Sequence, residues 1–114
     1  MTTRLRFALA LLLTALLLAS CSDPLPPERA HYAGVWRAAG TTLTITPQGR
    51  VLYRVERGNG LRKSIEAPIK QFDGSSFVVG LGPIATTFVV TQGPAQQADG
   101  RWTMTVDGVE LVRE

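Results

Sequence analysis

Thr41-Thr42-Leu43-Thr44-Ile45-Thr46-Pro47-Gln48-Gly49-Arg50-Val51-Leu52-Tyr53-Arg54-Val55-Glu56-Arg57 decides the fold. Before Pro47, Leu43 and Ile45 fall on one face and Thr42, Thr44 and Thr46 on the other. After Gly49, Val51, Tyr53 and Val55 share a face, against Arg50, Leu52, Arg54 and Glu56. Successive side chains of a strand point to opposite faces, so period-two alternation marks two half-buried strands. The Pro47-Gln48-Gly49 break between them turns the chain back, and the two runs form a hairpin.

The same grammar continues on both sides. Val35 to Ala38 reads as a first strand ending at Gly40. Gly58-Asn59-Gly60 is a turn into Leu61 to Ile69, which puts Ile65, Ala67 and Ile69 opposite Glu66 and Lys70. Pro68 removes one ladder donor there and marks an edge strand or a bulge. Asp73-Gly74 turns into Phe77 to Leu81, and Gly82-Pro83 leads to Ile84 to Val90. Gln92 to Gly100 reads as a longer polar loop. Trp102, Met104 and Val106 share a face of the next strand, and Val109 to Val112 closes the chain. Asp107-Gly108 between them is the sharpest hairpin signal, because a two-residue type I′ turn needs φ > 0 at both positions.

No stretch after Cys21 carries helical periodicity over three turns. The expected fold is therefore all-β: a small antiparallel meander of about seven or eight short strands over residues 34–114. Such a meander hides its edges by closing into a barrel or folding into a two-layer sandwich. An eight-stranded barrel of strands this short is filled by its own side chains or holds one small ligand.

The N-terminus has a different character. Arg4 and Arg6 precede Phe7 to Leu18, a run of Leu and Ala broken only by Thr14. That is the charged n-region and short apolar h-region of a secretory signal, here a signal helix within residues 1–20. The run is too short for a membrane span, which needs roughly 20 apolar residues. Leu5 separates the two arginines, so the twin-arginine pattern is absent.

Leu18-Ala19-Ser20-Cys21 resembles the lipobox of bacterial lipoproteins, with Leu18 at the apolar position, Ala19 and Ser20 at the small ones and Cys21 at the obligatory one. The resemblance implies diacylglycerol on the Cys21 sulfur, cleavage between Ser20 and Cys21, and acylation of the new amino group. It implies no cofactor beyond this covalent lipid. In Gram-negative lipoproteins an Asp directly after the cysteine favours the inner membrane; Ser22 stands here, which leans towards the outer membrane, on its periplasmic face. A two- or three-chain anchor holds stably, where a single chain binds only marginally. The other reading of these residues is an ordinary secretory signal with Cys21 left as a free thiol.

Processing alters the balance of charge. The whole chain has 12 basic and 9 acidic residues, a net of +3, and loss of Arg4 and Arg6 leaves +1. Bulk charge then gives nucleic-acid binding no support, and export argues against it. Cys21 is the only cysteine, so no disulfide framework is available and stability falls to the apolar core. Ser22 to Ala33 contains Pro24, Pro26 and Pro27 and reads, with Cys21, as an extended tether over residues 21–33.

Candidate sites are few. His31 is the only histidine, in the tether, and Ser64, Ser75 and Ser76 have no base partner in view, so the sequence gives a Ser-His-Asp site no support, and one histidine without a free thiol cannot make a structural zinc site. Asp73, Asp99 and Asp107 each adjoin a glycine in a turn. Glu56 and Glu66 lie on polar strand faces, placed for cross-strand pairing with Arg54, Arg62 or Lys63. Between residues 50 and 70, Arg50, Arg54, Arg57, Arg62, Lys63 and Lys70 face only Glu56 and Glu66. Arg54, Arg57, Arg62 and Lys63 are the candidate partner-binding residues, for an acidic envelope protein, an anionic envelope polymer or lipid headgroups. The same charges also suit a solvated sheet face kept from aggregating. Gly80-Leu81-Gly82-Pro83-Ile84 is either a docking loop or a tight corner of the sheet.

Gly34-Val35-Trp36 resembles the Gly-x-Trp that opens lipocalins and related calycin barrels, where the Trp packs across the barrel floor. That resemblance implies a carrier of a small apolar ligand, with Trp36, Tyr53, Phe88 and Trp102 lining the interior. The expectation for the whole chain is a non-enzymatic, membrane-anchored envelope lipoprotein whose β domain is a binding or scaffold module. A miniature lipocalin-like carrier and an inhibitor of a periplasmic hydrolase are the alternatives.

Overall fold

A computed structural model describes residues 23–60 and 62–114. The expected signal helix and the lipid site at Cys21 lie outside the described residues. The chain forms a short 3-10 helix, Pro27–Tyr32, and then nine strands. These are β1 (Gly34–Ala38), β2 (Thr41–Ile45), β3 (Arg50–Glu56), β4 (Arg62–Asp73), β5 (Ser76–Leu81), β6 (Ile84–Phe88), β7 (Val90–Gln96), β8 (Trp102–Val106) and β9 (Val109–Arg113).

All ladders are antiparallel and form one sheet in the order β6-β5-β4-β3-β2-β1-β9-β8-β7. The sheet curls into a half-barrel, with β6 and β7 at its two edges. Only Val89 separates those strands in sequence, and Asp107 pins it: the Val89 N–H donates to Asp107 Oδ1 at 2.9 Å and the Asp107 N–H to the Val89 carbonyl at 2.8 Å. The Val90 N–H donates to Ser76 Oγ at 2.9 Å, bringing β7 against β5.

The alternation read in β2 and β3 is the register found. Leu43 pairs with Tyr53 and with Trp36, and Ile45 with Val51 and Gly34, so these side chains share the inner face. Trp36, Leu43, Val51, Phe77 and Met104 are wholly buried there. Asp107 (φ 49) and Gly108 (φ 79) form the turn between the paired Val106 and Val109, as read.

Three expectations are corrected. The described residues form nine strands rather than seven or eight, because Val90–Gln96, placed mostly in a polar loop, pairs with β8. β4 runs on through Pro68 for twelve residues, leaving β3 at the Arg50–Pro68 pair and joining β5 from Ile69, with a register shift before Gln71. The missing Pro68 donor therefore falls where the strand changes partners. Finally, the described part of the segment before β1, residues 23–33, is not an extended tether. The Leu25 N–H donates to the Pro47 carbonyl at 2.9 Å, and Tyr32 is 2% exposed. The Tyr32 hydroxyl donates to the Ser75 carbonyl at 2.8 Å, its ring meets Phe72 and Phe77 edge-on, and its carbonyl accepts from Trp36 Nε1 at 2.9 Å.

Candidate functional site

Neighbouring antiparallel strands send alternate turns to opposite ends of a sheet. The β1–β2, β3–β4 and β8–β9 turns thus share one end, and the β2–β3 turn lies at the other. At the shared end the Glu56 N–H donates to the Gly40 carbonyl at 2.8 Å. Gly40 has φ +71, and a Cβ there would come 2.5 Å from the Glu56 carbonyl oxygen, so only glycine lets the β1–β2 turn approach the end of β3 this closely.

Between these turns lies an open cleft of about 480 Å3. Tyr53 and Val55 reach it from the inner face of β3. Lys63 pairs with Val55, so it stands on that same face, one position beyond the apolar Ile65 and Ala67. Arg57, Arg62 and Glu56 form one rim; Asp107 and Val109 form the other.

Tyr53 is the polar group nearest the core. Its ring packs edge-on against Phe88, with centroids 5.1 Å apart. Burial pushes the phenol above its ordinary value, the Asp107 carboxylate pushes it further, and the Arg57 guanidinium pulls it back. The hydroxyl therefore feels one cation and one anion among the cleft residues. Such an arrangement can bind a group by hydrogen bonding and charge; it offers no nucleophile with a base beside it.

The structure brings together part of each predicted set. Arg57, Arg62 and Lys63 line the cleft, and Arg54 does not. Arg54 pairs with Thr42 and Ser64 on the outer face. Of the four aromatic residues, only Tyr53 lines the cleft. Trp36 and Phe88 are packed into the core at 0% and 1% exposure. Trp102 is half-buried, with the Arg113 guanidinium 4.6 Å from its ring centroid. Glu66 pairs with Arg50 at 3.8 Å. His31 is exposed at the other end of the molecule, its ring 5.1 Å from that of Tyr32. Among the described residues no three His, Cys, Asp or Glu side chains gather in a way that could hold a metal.

Sequence reasoning missed Asp107 as a site residue, having read it as a turn former alone. It also missed that Lys63 occupies an inward position. That signal was present: a charge in register with Ile65 and Ala67 breaks the apolar face of its own strand.

Compared with protein-family models, curated proteins and solved structures, the chain matches none.

Proposed function

We propose that this chain is a lipid-anchored envelope lipoprotein whose non-catalytic β domain, a barrel-like module, binds a negatively charged partner through the cleft at the turn-rich end. The observation that carries the reading is Lys63 on the inner face, with Arg57 and Arg62 beside it and the Tyr53 hydroxyl below. Three cations against Glu56 and Asp107 leave the lining net positive, and a concave site with polar groups at its base concentrates charge better than a flat face. The partner is an acidic envelope protein or an anionic envelope polymer. Anchoring through Cys21 on the periplasmic face of the outer membrane places the domain among such partners.

The volume supports a second reading, since small-ligand sites usually occupy about 300–1,000 Å3. In that case the cleft holds the anionic head of a small amphipathic ligand, with Val55 and Tyr53 against its apolar part.

Pull-down with the membrane-anchored protein tests the first reading. Arg57→Glu with Lys63→Glu should lower partner recovery at least about tenfold, equivalent to about 1.4 kcal/mol. Arg54→Glu, on the outer face, should change it little, and added salt should mimic the double reversal. Recovery indifferent to both salt and the double reversal refutes the reading. A small ligand released from the purified wild-type protein, and absent from the double variant, would favour the carrier.

A further inference from the structure

The two most exposed large apolar side chains of the described residues are Leu81, at 62%, and Ile84, at 76%. They are direct cross-strand partners at the tip of the β5–β6 hairpin, so they stand side by side. Gly82, with φ +57, and Pro83 make the two-residue turn between them. The tip is held firmly. A Cβ on Gly80 would lie 2.1 Å from the Ile84 carbonyl oxygen, so the two strands touch at their backbones. Lys70 Nζ donates to the Gly82 carbonyl at 2.6 Å and sets an ammonium beside the apolar pair.

Where this tip lies gives it meaning. Lys70 follows Ile69, whose N–H donates to the Gly49 carbonyl at 2.8 Å. Gly49 has no side chain where the Asp23 carbonyl passes: a Cβ there would come 2.0 Å from that oxygen. Because β5 pairs with β4 only from Ile69 on, its tip stops level with Lys70 and does not reach the cleft-end turns; Asp23, Gly49, Lys70 and Gly82 thus lie on one surface beside the β2–β3 turn, opposite the cleft. Asp23 is also where the described chain begins, and only Ser22 separates it from Cys21. An extended chain covers at most about 3.3–3.6 Å per residue. Two residues of chain reach at most about 7 Å from Asp23, which is docked on the sheet.

We infer that the hairpin tip Leu81–Ile84, with Lys70, is a second membrane contact that seats the domain on the bilayer beside its lipid anchor. The inference rests on the proposed lipidation of Cys21. With no spacer, acyl chains on Cys21 bring this surface to the headgroups. Two aliphatic side chains with a flanking ammonium match the boundary between headgroups and acyl chains. Seated this way, the domain points its cleft away from the membrane and towards periplasmic partners.

The test uses the lipidated protein in vesicles of phosphatidylethanolamine and phosphatidylglycerol. A polarity-sensitive fluorophore is placed on a single introduced thiol: Ile84→Cys, Leu81→Cys, or Gly58→Cys at the cleft end, where a side chain meets nothing within 4 Å. Lipid on Cys21 leaves no competing thiol. At positions 84 and 81 the emission should shift to the blue and be quenched at least twofold by brominated lipids; at 58 it should stay as in water. Water-like emission at both tip positions, on protein that floats with the vesicles, overturns the inference and leaves the anchor standing. A blue shift that needs added periplasmic protein, and does not appear with vesicles alone, overturns it in favour of a protein partner. Labelling of the wild-type chain reveals a free Cys21 thiol and overturns the anchor together with the inference.

Discussion

Truncating Tyr32 decides whether the segment before β1 belongs to the domain. The side chain is 2% exposed and has three separable roles: apolar area, ring contacts to Phe72 and Phe77, and a hydroxyl bonded to Ser75. Tyr32→Phe removes only the hydroxyl. Ser75 is exposed, so its carbonyl regains water, and the loss should be about 1 kcal/mol. Tyr32→Ala removes the ring as well and leaves a void between the 3-10 helix and β5. By analogy with other buried aromatic truncations this costs about 3–5 kcal/mol. Against a total stability of about 5–15 kcal/mol, that is a large fraction.

Urea unfolding followed by tryptophan emission reads both variants, since Trp36 Nε1 donates to the Tyr32 carbonyl and reports this contact directly. The midpoint should fall in the order wild type, Tyr32→Phe, Tyr32→Ala, with unchanged dependence on denaturant. On heating, Tyr32→Phe should lower Tm by about 4–8 °C. Glu28→Ala, on the exposed side of the same helix, should stay within about 0.5 kcal/mol of wild type. A Tyr32→Ala protein within about 1 kcal/mol of wild type would refute the docking. The segment would then be a free tether, and the argument for a seated domain would go with it.

Two further outcomes follow from the geometry. Phenolate absorbance of Tyr53 should appear above the ordinary tyrosine range, moving further up in Arg57→Gln and down in Asp107→Asn. A phenol raised in the folded state stabilises at pH values below its unfolded value and loses that contribution as pH rises through the folded one, so Tyr53→Phe should flatten the alkaline fall in stability; an unchanged alkaline profile would contradict the burial described. Gly49→Ala meets both a φ of +82 and the Asp23 carbonyl, and should cost at least about 1–3 kcal/mol. It should also expose the bonds before Pro26 to limited proteolysis, whereas equal resistance would show that Asp23 is not held there.

The hairpins β2–β3 and β8–β9 were legible because their causes are local. Alternation over five to seven residues and one turn dipeptide set the register. β7 was not legible, because it is an edge strand with Gly93 and Pro94 inside it and two register shifts against β8. An edge strand needs no apolar alternation, and proline is tolerated on its free side. The docking of Tyr32 depends on Phe72, Phe77 and Ser75, forty or more residues away, and no local pattern encodes that contact. Half of the cleft had a local signature, in Arg57, Arg62 and Lys63. The other half, Asp107 and Val109, arrives through the closure of β9 onto β1, which strand spacing alone does not specify.

The filled interior of the described residues leaves the cleft at one end as the concave space in the domain. Trp36, Phe77 and Phe88 occupy the space a deeper cup would need, with Phe77 and Phe88 stacked at 5.2 Å. A small domain has little stability to give away, so its departures from good packing mark where other demands prevail. Two stand out. Lys63 holds an inner-face position beside Val55 and Thr41, where an apolar residue would extend the core by a layer and shrink the cleft. Leu81 and Ile84 stand in solvent on a hairpin stiffened by Gly80 and held by Lys70, where polar side chains would cost the fold nothing. An exposed lysine in register with the apolar face at one end and an apolar pair in solvent at the other are opposite departures. They have a common rationale if one end meets an anionic partner in water and the other meets lipid.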